Sequence, residues 1–298
     1  MRLDRAFLFI WTRPWLFSTG CQHRNPRALP SATRPVTPAR LGLPGARYSS
    51  SFSDALAASI ASETQALQSL QHAEDLISSL PLTRYIRSVS SSNRSTGATY
   101  MEFRPMRTMH PAAQSTHLVT TSLISPSKLP IDPIFFLKHS SATCQPAAQD
   151  KDKVEIIATA YLSTHLTGHA GYIHGGLLGV LFDDAFARLA AEIFSSRTGM
   201  TANLTLDFRA PAMTGRVYVY RVEIERVEKE RKVWVRGSMR CLKEFGVQEM
   251  LKRSVESANE VDDGGLSVEE RDGVLVAEAR GLFVEPKGAK EMVPLYPK

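Results

Sequence analysis

The chain has 298 residues, of which 43% are hydrophobic and 22% charged, a balance that excludes a fibre or a fully disordered chain. The formal net charge is +6, but the excess is confined to residues 1–50, which hold eight arginines and one acid, Asp4. These nine residues contribute a charge of +7. The whole chain has 36 basic and 30 acidic residues, so the rest of the chain has 28 basic and 29 acidic residues and a net charge of −1. A basic nucleic-acid-binding domain is therefore excluded, and no nucleic-acid partner is expected.

Residues 1–48 are interpreted as a mitochondrial presequence that is cleaved after import. The segment is rich in arginine and serine and nearly free of acids, and bulky apolar side chains alternate with its first arginines. The apolar run is broken by Arg13 and Pro14, so it falls short of the roughly 20 residues of a transmembrane helix. The sequence Arg47-Tyr48-Ser49-Ser50 resembles a matrix-processing site, so the mitochondrial matrix is the expected location. The alternative is a basic tail that is not imported.

Residues 49–149 are expected to form an N-terminal helix and extension. Apolar residues at spacings of three, four and seven predict an amphipathic helix over residues 53–80, which packs on the main domain or on a dimer partner. The polar stretch 88–98 is interpreted as a linker. Two short strands are predicted at residues 100–104 and 117–124.

Residues 150–288 are predicted to form an α+β domain, with an antiparallel sheet around one buried helix. An apolar segment without proline predicts that helix over residues 175–195. Alternation of apolar and polar residues predicts strands with one buried face. These strands span residues 154–162, 200–208, 216–227, 232–242 and 274–284. The polar, acidic stretch 243–272 is interpreted as an exposed insertion.

The segment 168–185 carries the strongest chemical signal. It reads GHAGYIHGGLLGVLFDDA, so glycines stand where the buried helix begins. Unpaired N–H groups and the positive end of the helix dipole favour an oxyanion there, as in a polarised thioester carbonyl. Asp183, a charge on an otherwise apolar helix, could act as a general base or nucleophile.

The motif GxxGxxHGG, with an aspartate nine residues after the histidine, resembles the PaaI-like hotdog thioesterases. The strand Met200-Thr201-Ala202-Asn203-Leu204 and the Arg209-Ala210-Pro211 sequence that follows extend the resemblance to residues 150–285. Some members have an asparagine six residues before the histidine, where this chain has Gly168; the mitochondrial acyl-CoA thioesterase branch tolerates glycine there. The resemblance implies a hotdog fold, an acyl-CoA substrate, and a homodimer or dimer of dimers.

The resemblance also implies roles for individual residues. The Gly175 N–H, with or without that of Gly176, would bind the thioester oxygen, and Asp183 would be base or nucleophile. His174 would shape the loop and could help to place the thioester or water. The Thr201 hydroxyl could orient water, although it is equally possible that Thr201 is an ordinary strand residue. Substrate-binding side chains are predicted to be Arg209, Arg231, Lys232 and Asn203, with solvated surface charge as the alternative for each basic residue.

Two further interpretations concern residues in and near this motif. Asp184 is four residues before Arg188 and is interpreted as a helix-surface ion pair. His169, His174 and Asp183 could suggest a metal, but their spacing is a poor ligand pattern, so neither metal nor organic cofactor is expected. The alternatives to an enzyme are a hotdog module that binds acyl-CoA or an acylated carrier without hydrolysis, and a structural mitochondrial protein.

Overall fold

The computed structural model describes residues 48–92, 98–140, 154–244, 266–293 and 295–296. The predicted presequence and most of the predicted insertion lie outside these ranges. Within the described residues, seven antiparallel strands form one sheet, in the order β1-β2-β3-β7-β8-β9-β6. The strands are β1 (Ala98–Phe103), β2 (Ile134–Ser140), β3 (Glu155–Leu162), β6 (Met200–Phe208), β7 (Arg216–Glu228), β8 (Lys232–Cys241) and β9 (Val274–Val284). Strands β4 (Thr167–His169) and β5 (Tyr172–Ile173) form a separate hairpin.

One long buried helix, α5 (Gly175–Ala191), lies against the inner face of this sheet. Its Phe186 packs so closely on β8 and β9 that a Cβ at Gly237 or Gly281 would come within about 3 Å of the ring. Both glycines therefore serve the close approach of helix and sheet. The predicted α+β class, with an antiparallel sheet around a central helix, is confirmed.

The outer face of the sheet is covered at one end by two helices. Helix α1 (Tyr48–Ser79) buries only its C-terminal part, through Ala73, Leu76 and Ile77, and α2 (Pro81–Ser92) continues the contact. A proline at the first position of a helix is well tolerated, which explains why α2 starts afresh at Pro81. The predicted helix 53–80 is confirmed, but Leu56, Ile60 and Leu67 of α1 are exposed rather than packed on the domain.

Strand β2 is absent from the sequence-based prediction because both of its faces are buried. Phe135 and Leu137 belong to the core around α5, whereas Ile134 and Phe136 belong to the cluster beneath α2. Such a strand reads as a continuous apolar run without alternation. Together with β1, which confirms the strand predicted at residues 100–104, it joins the predicted extension to the main sheet.

The strand predicted at residues 117–124 is wrong, because Leu118–Ser122 forms a short π-helix. The β-branched residues Val119 and Thr120 favour a strand locally. Their burial, together with the hydrogen bond from the Thr120 N–H to His117 Nδ1 (3.3 Å), stabilises a helical turn instead. Two single-turn helices precede it, α3 (Pro105–Thr108) and α4 (Pro111–Gln114).

The predicted insertion 243–272 is only partly tested, since residues 245–265 lie outside the described ranges. Near its C-terminal end, Ser267, Glu269 and Glu270 are buried rather than exposed. Helix α6 (Val268–Asp272) starts with a capping box between Ser267 and Glu270. The Glu270 carboxylate is buried and accepts two hydrogen bonds from Arg221 on β7, at 2.7 and 2.8 Å. This charge-assisted pairing anchors α6 to the sheet. A 3₁₀ turn follows β9 at Ala289–Glu291.

Candidate active site at the start of helix α5

His174 follows strand β5 in an extended conformation and caps helix α5. Its Nδ1 accepts a hydrogen bond of 3.0 Å from the Gly176 N–H, so the ring proton lies on Nε2. Within the described residues, no acceptor contacts the Gly175 N–H. Of the two candidate oxyanion donors, Gly175 is therefore the one left free for a ligand oxygen at the positive end of the helix.

The ring of Phe208 lies directly over Gly175. A Cβ at position 175 would stand 3.1 Å from Phe208 Cζ, so only a residue without a side chain fits without displacing the ring. Phe208 is nevertheless 59% exposed, at the end of strand β6. It thus forms an apolar wall beside the free N–H. Its place in the Phe208-Arg209-Ala210-Pro211 sequence is the only sequence signal for this contact.

Asp183 and Thr201 are brought together, as the motif predicts. Asp183 is half-buried on the third turn of α5, and its Oδ1 accepts a hydrogen bond of 2.7 Å from Thr201 Oγ1 on β6. No hydrogen bond to Asp183 Oδ2 is found in the described part of the chain. The carboxylate is thus fixed by one oxygen, and the other remains available to water or a substrate.

A β-bulge turns Thr201 toward α5. In β6 the register against β9 shifts between Thr201 and Asn203, which pair with the adjacent residues Phe283 and Leu282. In a regular strand Thr201 and Asn203 would face the same side, because the side-chain period is two. The extra residue, Ala202, reverses the direction of Thr201, which is a frequent role of bulges near functional sites.

The free N–H and the carboxylate are too far apart to serve one reacting group within a single copy of the chain. Gly175 and Asp183 are eight residues apart on a continuous helix, which corresponds to about 12 Å along its axis. An oxyanion donor and a general base must each lie roughly 3 Å from their target atoms. Within one copy, the Gly175 N–H and the Asp183 carboxylate are therefore two separate groups.

Asp184 does pair with Arg188, but the pair is buried rather than at the helix surface. Its nitrogen–oxygen distances are 3.3 Å (Nε to Oδ2) and 3.4 Å (Nη2 to Oδ1), and the residues are 7% and 4% exposed. His117 Nε2 lies 3.6 Å from Asp184 Oδ1. The prediction of a surface pair is wrong because β2, the π-helix and Tyr296 cover this side of α5.

The four predicted substrate-binding residues do not form one cluster within a copy. Lys232 pairs in register with Val284, as does Met200, so Lys232 lies at the Thr201 end of the sheet. Arg209 follows the opposite end of β6, roughly 25 Å away at 3.3 Å per residue. Asn203 faces an open groove beside α2, on the side of the sheet away from α5.

The basic members of this set already have partners. Arg209 Nε is 2.6 Å from Glu278 Oε2, and Lys232 Nζ is 3.6 Å from Glu228 Oε1. Arg231 donates to the backbone oxygen of Glu285 at 3.0 Å. All three are exposed, so these contacts leave each side chain able to exchange its partner for a phosphate. Among the described residues, no group of three or more potential metal ligands is found.

Comparison with known proteins places the site in a recognised sequence segment. Residues 170–235 match the family described as "Thioesterase superfamily", and this segment includes Gly175, Asp183 and Thr201. An uncharacterized mitochondrial protein of Candida albicans is 25% identical over 171 residues, which are 57% of this chain and 60% of that protein. MIOREX complex component 3 of Saccharomyces cerevisiae is 24% identical over 170 residues, 57% of each chain.

The chain spans about three fifths of the length of these curated relatives. Among solved structures, an apo-hexameric acyl-CoA thioesterase is similar at 18% identity and a TM-score of 0.34; the match covers 46% of this chain and 72% of that chain. No helix within the described ranges combines the length and apolar character needed to cross a membrane.

Proposed function

We propose that this chain, whose residues 170–235 match the thioesterase superfamily and whose antiparallel sheet packs around one central helix, hydrolyses acyl-CoA thioesters to free acid and CoA. The observation that carries the proposal is the pair of half-sites on α5. One is the free Gly175 N–H at the helix start, and the other is the Asp183 carboxylate held by Thr201.

The proposed reaction needs only water and these groups. Asp183 takes a proton from a water molecule whose oxygen bonds to the thioester carbonyl carbon, and the carbonyl oxygen becomes an oxyanion held by the Gly175 N–H. Collapse of this intermediate breaks the carbon–sulfur bond, and the CoA thiolate takes up the proton. In the alternative course the Asp183 carboxylate attacks the carbonyl carbon itself, and the carbon–sulfur bond breaks to release the CoA thiolate and leave an acyl anhydride on Asp183. Water then hydrolyses this anhydride to the free acid and the Asp183 carboxylate, and the thiolate takes up the proton that the water gives up. Neither course requires a metal or an organic cofactor.

We propose that two copies of the chain form the complete site. Strand β6 pairs with β9 on one side and has no partner strand on the other within the described residues. A nine-residue edge strand is a template for pairing with another strand. Antiparallel pairing of two β6 strands about a twofold axis would bring the Thr201 end of one copy to the Phe208 end of the other. Asp183 of one copy would then face Gly175 of its partner.

A mitochondrial location fits the first 48 residues, and one curated relative is named as a mitochondrial protein. We propose the matrix as the site of action. Fusion of residues 1–50 to a fluorescent reporter tests this: the reporter should colocalise with a matrix marker, and a cytosolic signal would overturn the assignment. The panel of acyl-CoA chain lengths described next would identify the acyl group.

The direct test is hydrolysis by purified residues 49–298. We expect free thiol to be released from at least one member of an acyl-CoA panel of increasing chain length. Asp183→Asn should reduce kcat by about a hundredfold or more, the scale expected for loss of a general base, with little change in acyl-CoA affinity. Binding without turnover across the panel would favour a non-catalytic acyl-CoA-binding module. Absence of binding would favour a structural role.

A further inference from the structure

Helix α5 carries a buried ion pair whose acidic member, Asp184, follows Asp183 in the sequence. Asp184 and Arg188 are 7% and 4% exposed, and both nitrogen–oxygen distances are below 3.5 Å. A buried pair of this kind contributes little to stability relative to apolar packing, because the desolvation of both charges offsets their attraction. Since the other buried residues of α5 are apolar, the pair calls for a role other than stability.

Three other segments of the chain contact this pair. The Arg188 guanidinium lies 4.3 Å from the centroid of the Tyr296 ring and 5.7 Å from that of Phe135 on β2. His117, which caps the π-helix, places its Nε2 3.6 Å from Asp184 Oδ1. An ion pair within one helix cannot orient that helix, but these contacts to other segments can.

Tyr296 is itself held in place by its backbone. Its carbonyl oxygen accepts a 3.0 Å hydrogen bond from Arg197 Nε, and the preceding carbonyl, of Leu295, accepts one of 2.9 Å from the His110 N–H. The side chain is 8% exposed and packs with Met109 and Ala191. A guanidinium stacked on an aromatic ring whose backbone is held by two hydrogen bonds has little freedom to turn.

The charges within this cluster balance. Burial lowers the pKa of His117, so its imidazole is neutral at pH 7. Burial also raises the pKa of Tyr296, so the phenol keeps its proton. Within these four residues the Asp184 carboxylate and the Arg188 guanidinium then cancel, which leaves geometry as the route by which they act on Asp183. Asp132, which also acts electrostatically on Arg188, lies outside this set.

Successive helix residues point about 100° apart, so the rotation of α5 that directs Asp184 into this cluster also fixes the direction of Asp183. A rotation of about 10° would move a carboxylate some 5 Å from the helix axis by about 1 Å. A displacement of that size can reduce the rate of an enzyme about a hundredfold. The Asp183–Thr201 hydrogen bond of 2.7 Å leaves little room for such a displacement.

We propose that Asp184, Arg188 and Tyr296 are positioning residues that set the rotation of α5 and thereby hold the Asp183 carboxylate against Thr201 in its reactive orientation. The inference rests on the proposed hydrolysis. None of the three touches the substrate, so their loss should reduce kcat without weakening substrate binding.

Two pairs of variants in residues 49–298 test the proposal. Arg188→Met removes the charge but keeps the volume, and Arg188→Lys keeps the charge but loses the planar stacking group. Tyr296→Leu removes the ring, and Tyr296→Phe keeps it.

We expect Arg188→Met and Tyr296→Leu to lower kcat about tenfold with KM unchanged within about twofold. Tyr296→Phe should keep the wild-type kcat. The kcat of Arg188→Lys should lie between that of the wild type and that of Arg188→Met. Crystal structures should show the Asp183–Thr201 hydrogen bond lost in Arg188→Met and kept in Tyr296→Phe.

A purely structural role gives a different result. Melting temperature would then fall in Arg188→Met and Tyr296→Leu while kcat per folded molecule, and the Asp183–Thr201 hydrogen bond, stayed as in the wild type; this outcome overturns the proposal. If Arg188→Met does not fold, the comparison of Tyr296→Leu with Tyr296→Phe tests the proposal by itself. Failure of the proposed function is recognised separately, because the wild type would then release no thiol from acyl-CoA, or Asp183→Asn would leave the thiol release unchanged. In that case the hydrogen bond seen in the crystal structures still tests the positioning role.

Discussion

Thr201 Oγ1 on the edge strand β6 donates a hydrogen bond of 2.7 Å to Asp183 Oδ1 on the central helix. It links the element that carries the carboxylate to the strand at which a second copy would pair. The bulge at Ala202 is what allows the hydroxyl to face the helix.

Replacement of this hydroxyl should therefore affect turnover more than binding. We expect Thr201→Val, which has nearly the same shape, to lower kcat about tenfold with KM unchanged, because the carboxylate loses a charge-assisted hydrogen bond. Thr201→Ser keeps the donor and should retain most of the activity. Steady-state kinetics on acyl-CoA check this, and equal activity of the valine and serine variants would contradict a role for the hydroxyl.

The Gly175 N–H can be removed with little change to the helix. His174 has φ −61° and ψ 125°, an extended conformation that proline accepts in its preceding residue, and position 175 is the first of the helix. Gly175→Pro deletes the N–H, whereas Gly175→Ala keeps it and brings the same Cβ toward Phe208. We expect kcat of the proline variant to be about a hundredfold below that of the alanine variant. Similar rates for the two would show that this N–H does not hold the oxyanion.

The proposed site shared between two copies predicts complementation between two inactive variants. In a mixed dimer of Asp183→Asn and Gly175→Pro, one site carries both defects and the other carries none. Differently tagged chains, coexpressed and purified through both tags, should recover up to about half of the wild-type kcat per dimer. A site within one copy would leave one defect in each site of the mixed dimer, and no activity would return.

The carboxyl group of Asp132 is expected to make the free energy of unfolding depend on pH. Its Oδ2 accepts a 2.8 Å hydrogen bond from the Met106 N–H, its Oδ1 is buried without a partner among the residues that the structure describes, and burial raises its pKa to about 6. Because the folded pKa lies above the unfolded value, this stabilising contribution is complete below about pH 4 and is lost as pH rises through about 6. Asp132→Asn should thus raise the free energy of unfolding at neutral pH by on the order of 2 kcal/mol, with no gain below about pH 4.

Urea unfolding at several pH values measures this difference. Asp54→Asn, on the exposed part of α1, is the matched control and should change stability by less than about 0.5 kcal/mol. A destabilised Asp132→Asn at neutral pH would mean that the carboxylate, rather than the carboxylic acid, suits the fold.

The domain predicted for residues 150–288 can be tested by truncation. Without β1 and β2, β3 would become an edge strand, and the side chains that Phe135, Phe136 and Leu137 cover would meet water. We expect residues 150–298 to aggregate or to lack a cooperative unfolding transition, whereas residues 49–298 unfold cooperatively. Circular dichroism during heating distinguishes the two, and equal melting temperatures would show that the shorter domain is independent.

The second half of the chain was more readable from sequence than the first for a physical reason. Strands β6 to β9 alternate along much of their length, and α5 combines glycines at its start with a long apolar run, so local patterns suffice. Strand β2 is buried on both faces and shows no alternation. The turn at His117 depends on contacts with Met109 and α5, which a local pattern cannot report.

The residues of the candidate site also differ in whether a local sequence pattern predicts them. Gly175, Asp183 and Thr201 stand in a motif with characteristic spacing, and the structure joins two of them. The spacing of Asp184 and Arg188 predicts their pairing, but their burial depends on Tyr296, more than 100 residues away along the chain. The alternation of β6 would place Thr201 on the wrong face, because a bulge leaves no mark in the pattern of apolar residues.

The 12 Å between the half-sites has a consequence for how the activity responds to dilution. If each reaction needs one half-site from each of two copies, specific activity is constant only while the copies remain associated. Below the dissociation constant of the dimer, the rate would fall with the square of the protein concentration rather than in proportion to it. The abundance of the protein would then set the activity of each molecule as well as the number of molecules.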